Sequence, residues 1–164
     1  MFREMRRKKQ ALRPEDCARI LAQGTSGVLA LLGDDGYPYA VPLSYVYHEG
    51  RVYFHSAMAG YKLDALRRCP KASFCVVDQD QVVPETYTTY FRSAIVFGEL
   101  RVMEDGPEKR AAIEALAAKY DPEGPADGRQ KEIDREWGAL CVLEMKISHM
   151  TGKEAIELVR ARGK

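Results

Sequence analysis

The sequence predicts a mainly β protein: a predominantly antiparallel, closed sheet with helices at its periphery. Runs rich in β-branched and aromatic residues follow one another from Ser26 to Val102, separated by turns containing Gly, Asp and Pro. One stretch, Tyr37 to His48, alternates cleanly. Tyr37, Tyr39, Val41, Leu43, Tyr45 and Tyr47 fall on one face, with Pro38, Ala40, Pro42, Ser44, Val46 and His48 on the other. Helical spacing is confined to short segments before, between and after these runs.

The elements follow in chain order. Pro14 at the first helical position, with Glu15 and Asp16 in the first turn, opens a helix whose apolar face is Cys17, Ile20 and Leu21 and which Gly24 closes. Ser26 to Leu32 is an apolar strand, and Gly33-Asp34-Asp35-Gly36 makes a hairpin turn into the alternating stretch. Two prolines cannot sit inside a fully paired ladder, so this strand is expected at an edge or bulged near Pro42, with backbone released for a ligand. After Glu49-Gly50 a strand runs through Val52-Tyr53-Phe54-His55-Ser56, breaks at Gly60, and restarts as a helix from Lys62 to Arg68 ended by Pro70. Ala72 to Asp78 is a further strand, followed by a polar loop with Pro84. Thr88 to Val102 is a long strand apolar on both faces, with Phe91, Ile95 and Phe97 opposite Ala94 and Val96. Two apolar faces imply outside cover, as from a second subunit. Gly106-Pro107-Glu108 starts a helix with Ile113, Leu116, Ala117 and Tyr120 at helical spacing, and the loop Asp121 to Pro125 stops it. A charged helix ending near Trp137 precedes the last strand, Leu140 to His149.

Composition narrows the function classes. The 164 residues carry a net charge of +1, with 46% hydrophobic and 30% charged residues, which gives no global field for nucleic acid or membrane. The length suits a single domain over residues 1–164. No apolar run reaches a membrane span and the charged start lacks a signal-peptide core, so the expectation is a cytoplasmic protein. Arg3, Arg6, Arg7, Lys8 and Lys9 read as a solvated segment, with a nucleic-acid arm or transit peptide as the alternatives. Cys17, Cys69, Cys75 and Cys141 form no C-x-x-C pair, and Cys75 and Cys141 read as reduced core residues. His48, His55 and His149 have no metal-ligand spacing, so no metal site is expected. Gly24, Gly27 and Gly33 do not space as a dinucleotide fingerprint, Gly152-Lys153 lacks the rest of a phosphate loop, and Ser56 lacks a nucleophile elbow.

The stretch from Val52 to Asp64 carries the chemistry. His55 and Ser56 can donate where the strand stops, and Lys62 stands in the first turn of a helix, where a cation is disfavoured unless an anion is near. A hydroxyl, an imidazole, helix N–H groups and an ammonium together suit a phosphate. The alternative is a surface strand-turn-helix with a solvated lysine.

With these residues in place, the chain resembles the flavin-binding split-barrel superfamily that includes pyridoxamine 5′-phosphate oxidase. Within it, the chain is similar to the branch of the 5-nitroimidazole-resistance proteins. The matching runs are Met5-Arg6-Arg7-Lys8, Gly33 to Tyr39, Val41 to Tyr45, Tyr53 to Ala57, Gly60-Tyr61-Lys62, Ser73 to Val77, Thr88 to Ser93, Gly98 and the tail Lys153-Glu154-Ala155. The resemblance implies a six-stranded antiparallel Greek-key split β-barrel, dimeric, with FMN at the subunit interface. It places the Val41-Pro42-Leu43 backbone along the flavin ring and its pyrimidine edge. His55, Ser56 and Lys62 fall at the phosphate, and Arg92 and Ser93 complete the site from one subunit or the other. Trp137 and His149 are candidates to close over the ring or to pack.

One departure concerns Tyr61, which stands where relatives in this branch commonly carry histidine between the glycine and lysine of the phosphate turn. That leaves FMN binding intact and puts histidine-dependent substrate chemistry in question, with Tyr61 the candidate catalytic position. The basic substrate-phosphate cluster of a true pyridoxamine-phosphate oxidase is absent. The resemblance therefore implies an FMN-dependent oxidoreductase homodimer that reduces a small acceptor such as a nitroaromatic, with NAD(P)H as a candidate reductant. The alternatives are a flavin- or haem-binding module without turnover and an empty barrel serving as a dimeric scaffold.

Overall fold

One stretch of chain, residues 37–48, supplies both edges of the sheet, and the architecture follows from that. The computed structural model describes residues 2–162; residues 1, 163 and 164, which the single-domain expectation also spans, lie outside the described residues. The elements are α1 (Pro14–Gln23), β1 (Ser26–Leu32), β2 (Pro38–Ser44), β3 (Val46–His48), β4 (Arg51–Ser56), α2 (Tyr61–Arg68), β5 (Lys71–Val83), β6 (Thr88–Val102), α3 (Pro107–Tyr120), α4 (Ala126–Glu136), β7 (Cys141–Glu154) and α5 (Ile156–Arg162). All strand pairs are antiparallel, in the order β2-β1-β5-β6-β7-β4-β3.

The expected single strand over 37–48 is broken at Tyr45. Before the break the chain pairs with β1, from Leu32 opposite Pro38 to Ser26 opposite Ser44; after it, Val46 pairs with Tyr53 of β4. The count is therefore seven strands where six were expected. Hydrogen bonding does not close the sheet: its two outermost strands are joined through Tyr45 by the chain itself, and a split remains. The prolines explain the outer place of β2, because Pro38 and Pro42 have no N–H to give a second neighbour.

The concave side holds the main core. Leu29, Phe54, Phe74, Val76, Val96, Leu143 and Met145 are fully buried, and α1 closes one end with Cys17, Ile20 and Leu21. Phe74 stands edge-on to both Tyr45 (4.7 Å) and Phe54 (5.0 Å), a favoured aromatic geometry. Burial of each such side chain contributes roughly 1.5–3 kcal/mol. A second cluster on the other side of β3, β4 and β7 joins Val46, Tyr53 and Val142 to Ala112, Ile113 and Leu116 of α3 and Ile133 of α4. Two buried carboxylates are each neutralised twice, Glu144 by Arg51 and Arg101, Glu154 by Arg92 and Arg162.

The strands β1 and β6 have the expected limits. β5 runs on to Val83 because Gln79 to Val83, read as loop from their polarity, pair with Thr88 to Arg92 of β6 past a bulge after Val77. β7 continues to Glu154, also along β6, and α5 follows it. No helix among the described residues is long and apolar enough to cross a membrane.

Candidate functional site

The split leaves two strand edges without partners. The β3 ladder ends at Val46 opposite Tyr53, so Phe54, His55 and Ser56 are paired on the β7 side alone. On β2, Pro38 and Pro42 turn their nitrogens to the free edge, and the two-residue period turns the backbone of Ala40 and Ser44 the same way. β2 and β4 approach to Cα separations of 8 Å or less, so both free edges flank one split. Val41 and Leu43 pack their side chains on the core while Pro42 is exposed on the outer face. The accessible backbone of this edge is thus that of Ala40, Pro42 and Ser44; of the expected Val41-Pro42-Leu43 segment only the Pro42 carbonyl faces the split, while Val41 and Leu43 turn their backbone groups to β1.

At the end of the split β4 delivers His55 and Ser56. The chain turns, and Gly60 at φ 125° starts α2, a backbone conformation that a side chain would strain. The Gly60 carbonyl accepts the N–H groups of Leu63 (2.9 Å) and Asp64 (3.2 Å), and no side chain caps the helix's first N–H groups. The cations later in the helix are spoken for: Arg67 pairs with Asp64 at 2.9 Å and Arg68 with Asp34 at 2.5 Å. Among the described residues, no carboxylate pairs with Lys62 and no protein group hydrogen-bonds the side chains of His55 or Ser56, whose polar atoms are open to solvent. Ser56 stands opposite Cys141. Burial pushes the Cys141 thiol pKa up, while Lys109, Lys62 and Arg67 act to lower it, so this corner lies in a positive field. A ligand phosphate at such a corner would accept from the Ser56 hydroxyl, the Lys62 ammonium and the helix N–H groups, while His55, opposite Val142, turns its side chain to the other face of β4.

Tyr61, beside Lys62, is a strut. Its hydroxyl accepts the Asp34 N–H at 2.6 Å, and its ring meets Tyr39 edge-on with centroids 4.4 Å apart. These contacts join the start of α2 to the β1–β2 hairpin. A Cβ at Gly33 would stand 2.5 Å from the Tyr61 hydroxyl, so only glycine leaves room there.

Arg92 and Ser93 lie on β6, separated from β2 by β1 and β5, and the single chain does not bring them to the split. The Arg92 guanidinium is held by Asp78 at 3.0 Å and by Glu154 at 3.3 Å. Ser93 belongs to the outer face, in line with Val77 and Lys153. Two further rows cross that face, Ala40–Ala30–Ser73–Phe97–His149 and Pro42–Val28–Cys75–Ile95–Thr151. The face is apolar and uncovered in part: Val28, Leu32 and Val77 are exposed, and Phe91, Ile95 and Phe97 are half-buried. Cys75, expected in the core, sits here half-buried, because strand alternation places it opposite to Phe74 and Val76. His149 stacks on Phe2 with centroids 4.6 Å apart, beside a cleft of about 500 Å³ that none of the expected cofactor residues lines. Trp137 is away from this face, beneath Lys109 at 4.4 Å and Arg110 at 5.6 Å, in the second core cluster. Sequence reading missed the hold of Glu154 on Arg92; its signal was the place of Glu154 in the short matching tail.

Comparison with known proteins agrees with this architecture. Residues 13–154 match the family model described as pyridoxamine 5′-phosphate oxidase. A 64-residue segment is 38% identical to an uncharacterized protein of Rhizobium meliloti; it covers 39% of this chain and 41% of that protein, so the match spans about two fifths of the relative. Among solved structures, the chain is similar to a candidate 5-nitroimidazole antibiotic resistance protein of Bacteroides thetaiotaomicron. The TM-score is 0.71 at 21% identity over 88% of this chain and 86% of that one. It is also similar to an FAD and haem binding protein of Mycobacterium smegmatis (TM-score 0.74, 24% identity, 95% and 80% covered). A third is an FAD-binding protein of Mesorhizobium loti (TM-score 0.62, 24% identity, 89% and 97% covered). At these identities the structural likeness is one of fold.

Proposed function

Since the chain belongs to the pyridoxamine 5′-phosphate oxidase family, we propose that it binds FMN between the subunits of a homodimer and acts as an FMN-dependent oxidoreductase on a small acceptor such as a nitroaromatic. The observation that carries this reading is the corner at the end of the split, where His55, Ser56 and Lys62 lack partners among the described residues beside two unpaired strand edges. Ser56 and Lys62 with the helix N–H groups suit a phosphate, and the β2 edge fits the polar rim of a flat ring, which needs backbone donors and acceptors. The outer face supplies the reason for a second subunit: its apolar rows need cover. That subunit brings Arg92 and Ser93 of the partner subunit toward the split that β6 of the same chain cannot reach. The flavin, when bound, supplies the electron-accepting chemistry; the chain binds its phosphate, orients its ring and excludes water. The flavin-binding neighbours in the fold comparison support the cofactor class.

A second reading, a flavin- or haem-binding protein without turnover, is favoured by one observation. The tyrosine hydroxyl beside Lys62 is engaged by the Asp34 N–H and so is not poised toward a substrate. Anaerobic mixing of the FMN-saturated protein with NAD(P)H and a nitroimidazole separates the two. Sustained consumption of both supports the oxidoreductase, and a protein that binds flavin but stays inert supports the second reading.

A further inference from the structure

The break at Tyr45 strips one residue of its ladder, and the last turn of α3 takes up what is released. The Tyr45 N–H donates to the Tyr120 hydroxyl at 3.0 Å. The Tyr45 carbonyl accepts from the Lys119 ammonium at 3.1 Å and lies 3.1 Å from the Tyr120 hydroxyl. The same two side chains reach the α1–β1 link, Lys119 to the Gly24 carbonyl at 2.5 Å and Tyr120 to the Thr25 carbonyl. The Tyr120 hydroxyl has a single proton, which it gives to one of its two carbonyls while accepting the Tyr45 N–H. Tyr45 itself is buried, its hydroxyl donating to the Leu21 carbonyl at 2.7 Å. Among the described residues Lys119 has no carboxylate partner; its ammonium rests 4.2 Å from the centre of the Tyr45 ring. A half-buried ammonium that serves backbone carbonyls alone gives up part of its hydration, and burial lowers its pKa accordingly. Its evident return is a fixed backbone.

That backbone is the last anchor of the β2 edge, since Tyr45 follows Ser44 directly and Pro42 is three residues away. The β1 ladder holds the other side of β2, so the pitch of its free edge is set at Tyr45. We propose that Lys119 and Tyr120 are positioning residues for the flavin ring: through Tyr45 they set the β2 edge against which the pyrimidine edge of the ring lies. The inference rests on the flavin reading above and extends it to two residues that touch no ligand.

The test titrates FMN and, separately, riboflavin into the flavin-free full-length protein and records the long-wavelength absorption band of the bound flavin. The variants are Tyr120→Phe, Lys119→Met and Lys119→Arg. Losing one latch hydrogen bond is expected to weaken both ligands by the same factor, about three- to tenfold. The band should shift, because the contacts of the ring change, and Lys119→Arg should restore parental values. The phosphate end is untouched, so FMN and riboflavin must respond alike. Folded variants that bind both flavins at parental affinity with an unshifted band refute the positioning role, as does a loss confined to FMN. Tyr120→Phe keeps the ring on a partly exposed helix end, which gives a folded variant if Lys119→Met fails to fold. A parent that takes up neither flavin refutes the flavin reading instead.

Discussion

Replacing Lys62 by alanine removes an ammonium whose neighbours in α2, Arg67 and Arg68, are already paired with Asp64 and Asp34. Among the described residues Lys62 pairs with no carboxylate, so its removal unbalances nothing inside the chain and the effect on stability should be small. If a flavin phosphate is its counterion, the loss is one charge-assisted hydrogen bond, roughly 1.5–3 kcal/mol, or about 10- to 150-fold in Kd. The side chain is only partly buried, which places the expectation in the lower half of that range. The assay is quenching of flavin fluorescence on binding, with FMN and riboflavin compared. Lys62→Ala should weaken FMN by the stated factor and leave riboflavin nearly unchanged. Parental FMN affinity in the variant, or equal weakening of both ligands, would refute the assignment of Lys62 to the phosphate.

Other expectations follow from the same geometry. Light scattering at micromolar concentration should give twice the 18.5 kDa chain mass, and Ile95→Arg on the outer face should return it to the single-chain mass and release the flavin; a parent of single-chain mass counts against the dimer. Tyr61→Phe removes the acceptor of the Asp34 N–H and should lower stability by about 0.5–1.5 kcal/mol in thermal or urea unfolding without changing riboflavin affinity; an unchanged unfolding midpoint would mean that water replaces the hydroxyl at no cost. Asp16 is hydrogen-bonded by Arg13 at 3.0 Å and Arg19 at 3.2 Å, and the Arg13 bond foremost, against desolvation, holds its carboxyl below the usual range. Its contribution is therefore complete above an unfolded carboxylate value of about 3.9 and lost as pH falls through the lower folded value. Asp16→Asn should destabilise at pH 7 and converge on the parent in acid; a gap independent of pH would assign the effect to packing.

Local chemistry made much of the fold legible. β1 and β6 are runs rich in apolar residues set off by polar turn segments, and α1 and α3 begin at prolines that fix their first turn. The junction from His55 to Lys62 was readable because strand end, glycine and helix start lie within a few residues of one another. The break at Tyr45 was not, since its side chain faces the main core as those of Val41 and Leu43 do and the alternation runs straight through it. What breaks the strand is a hydroxyl and an ammonium 75 and 74 residues away in sequence, a contact no local pattern encodes. Gln79 to Val83 misled for the opposite reason: their polarity suits a loop, yet pairing with β6 satisfies their backbone without burying their side chains. The engagement of Arg92 was not legible because its counterions come from a bulge at Asp78 and from Glu154, near the end of β7.

The visible spectrum of freshly purified protein, with the released chromophore identified, tests the central claim most directly. An FMN protein of this kind should show the two-banded absorption of an oxidised flavin and release FMN at close to one molecule per chain. A colourless protein that takes up no added FMN would contradict it.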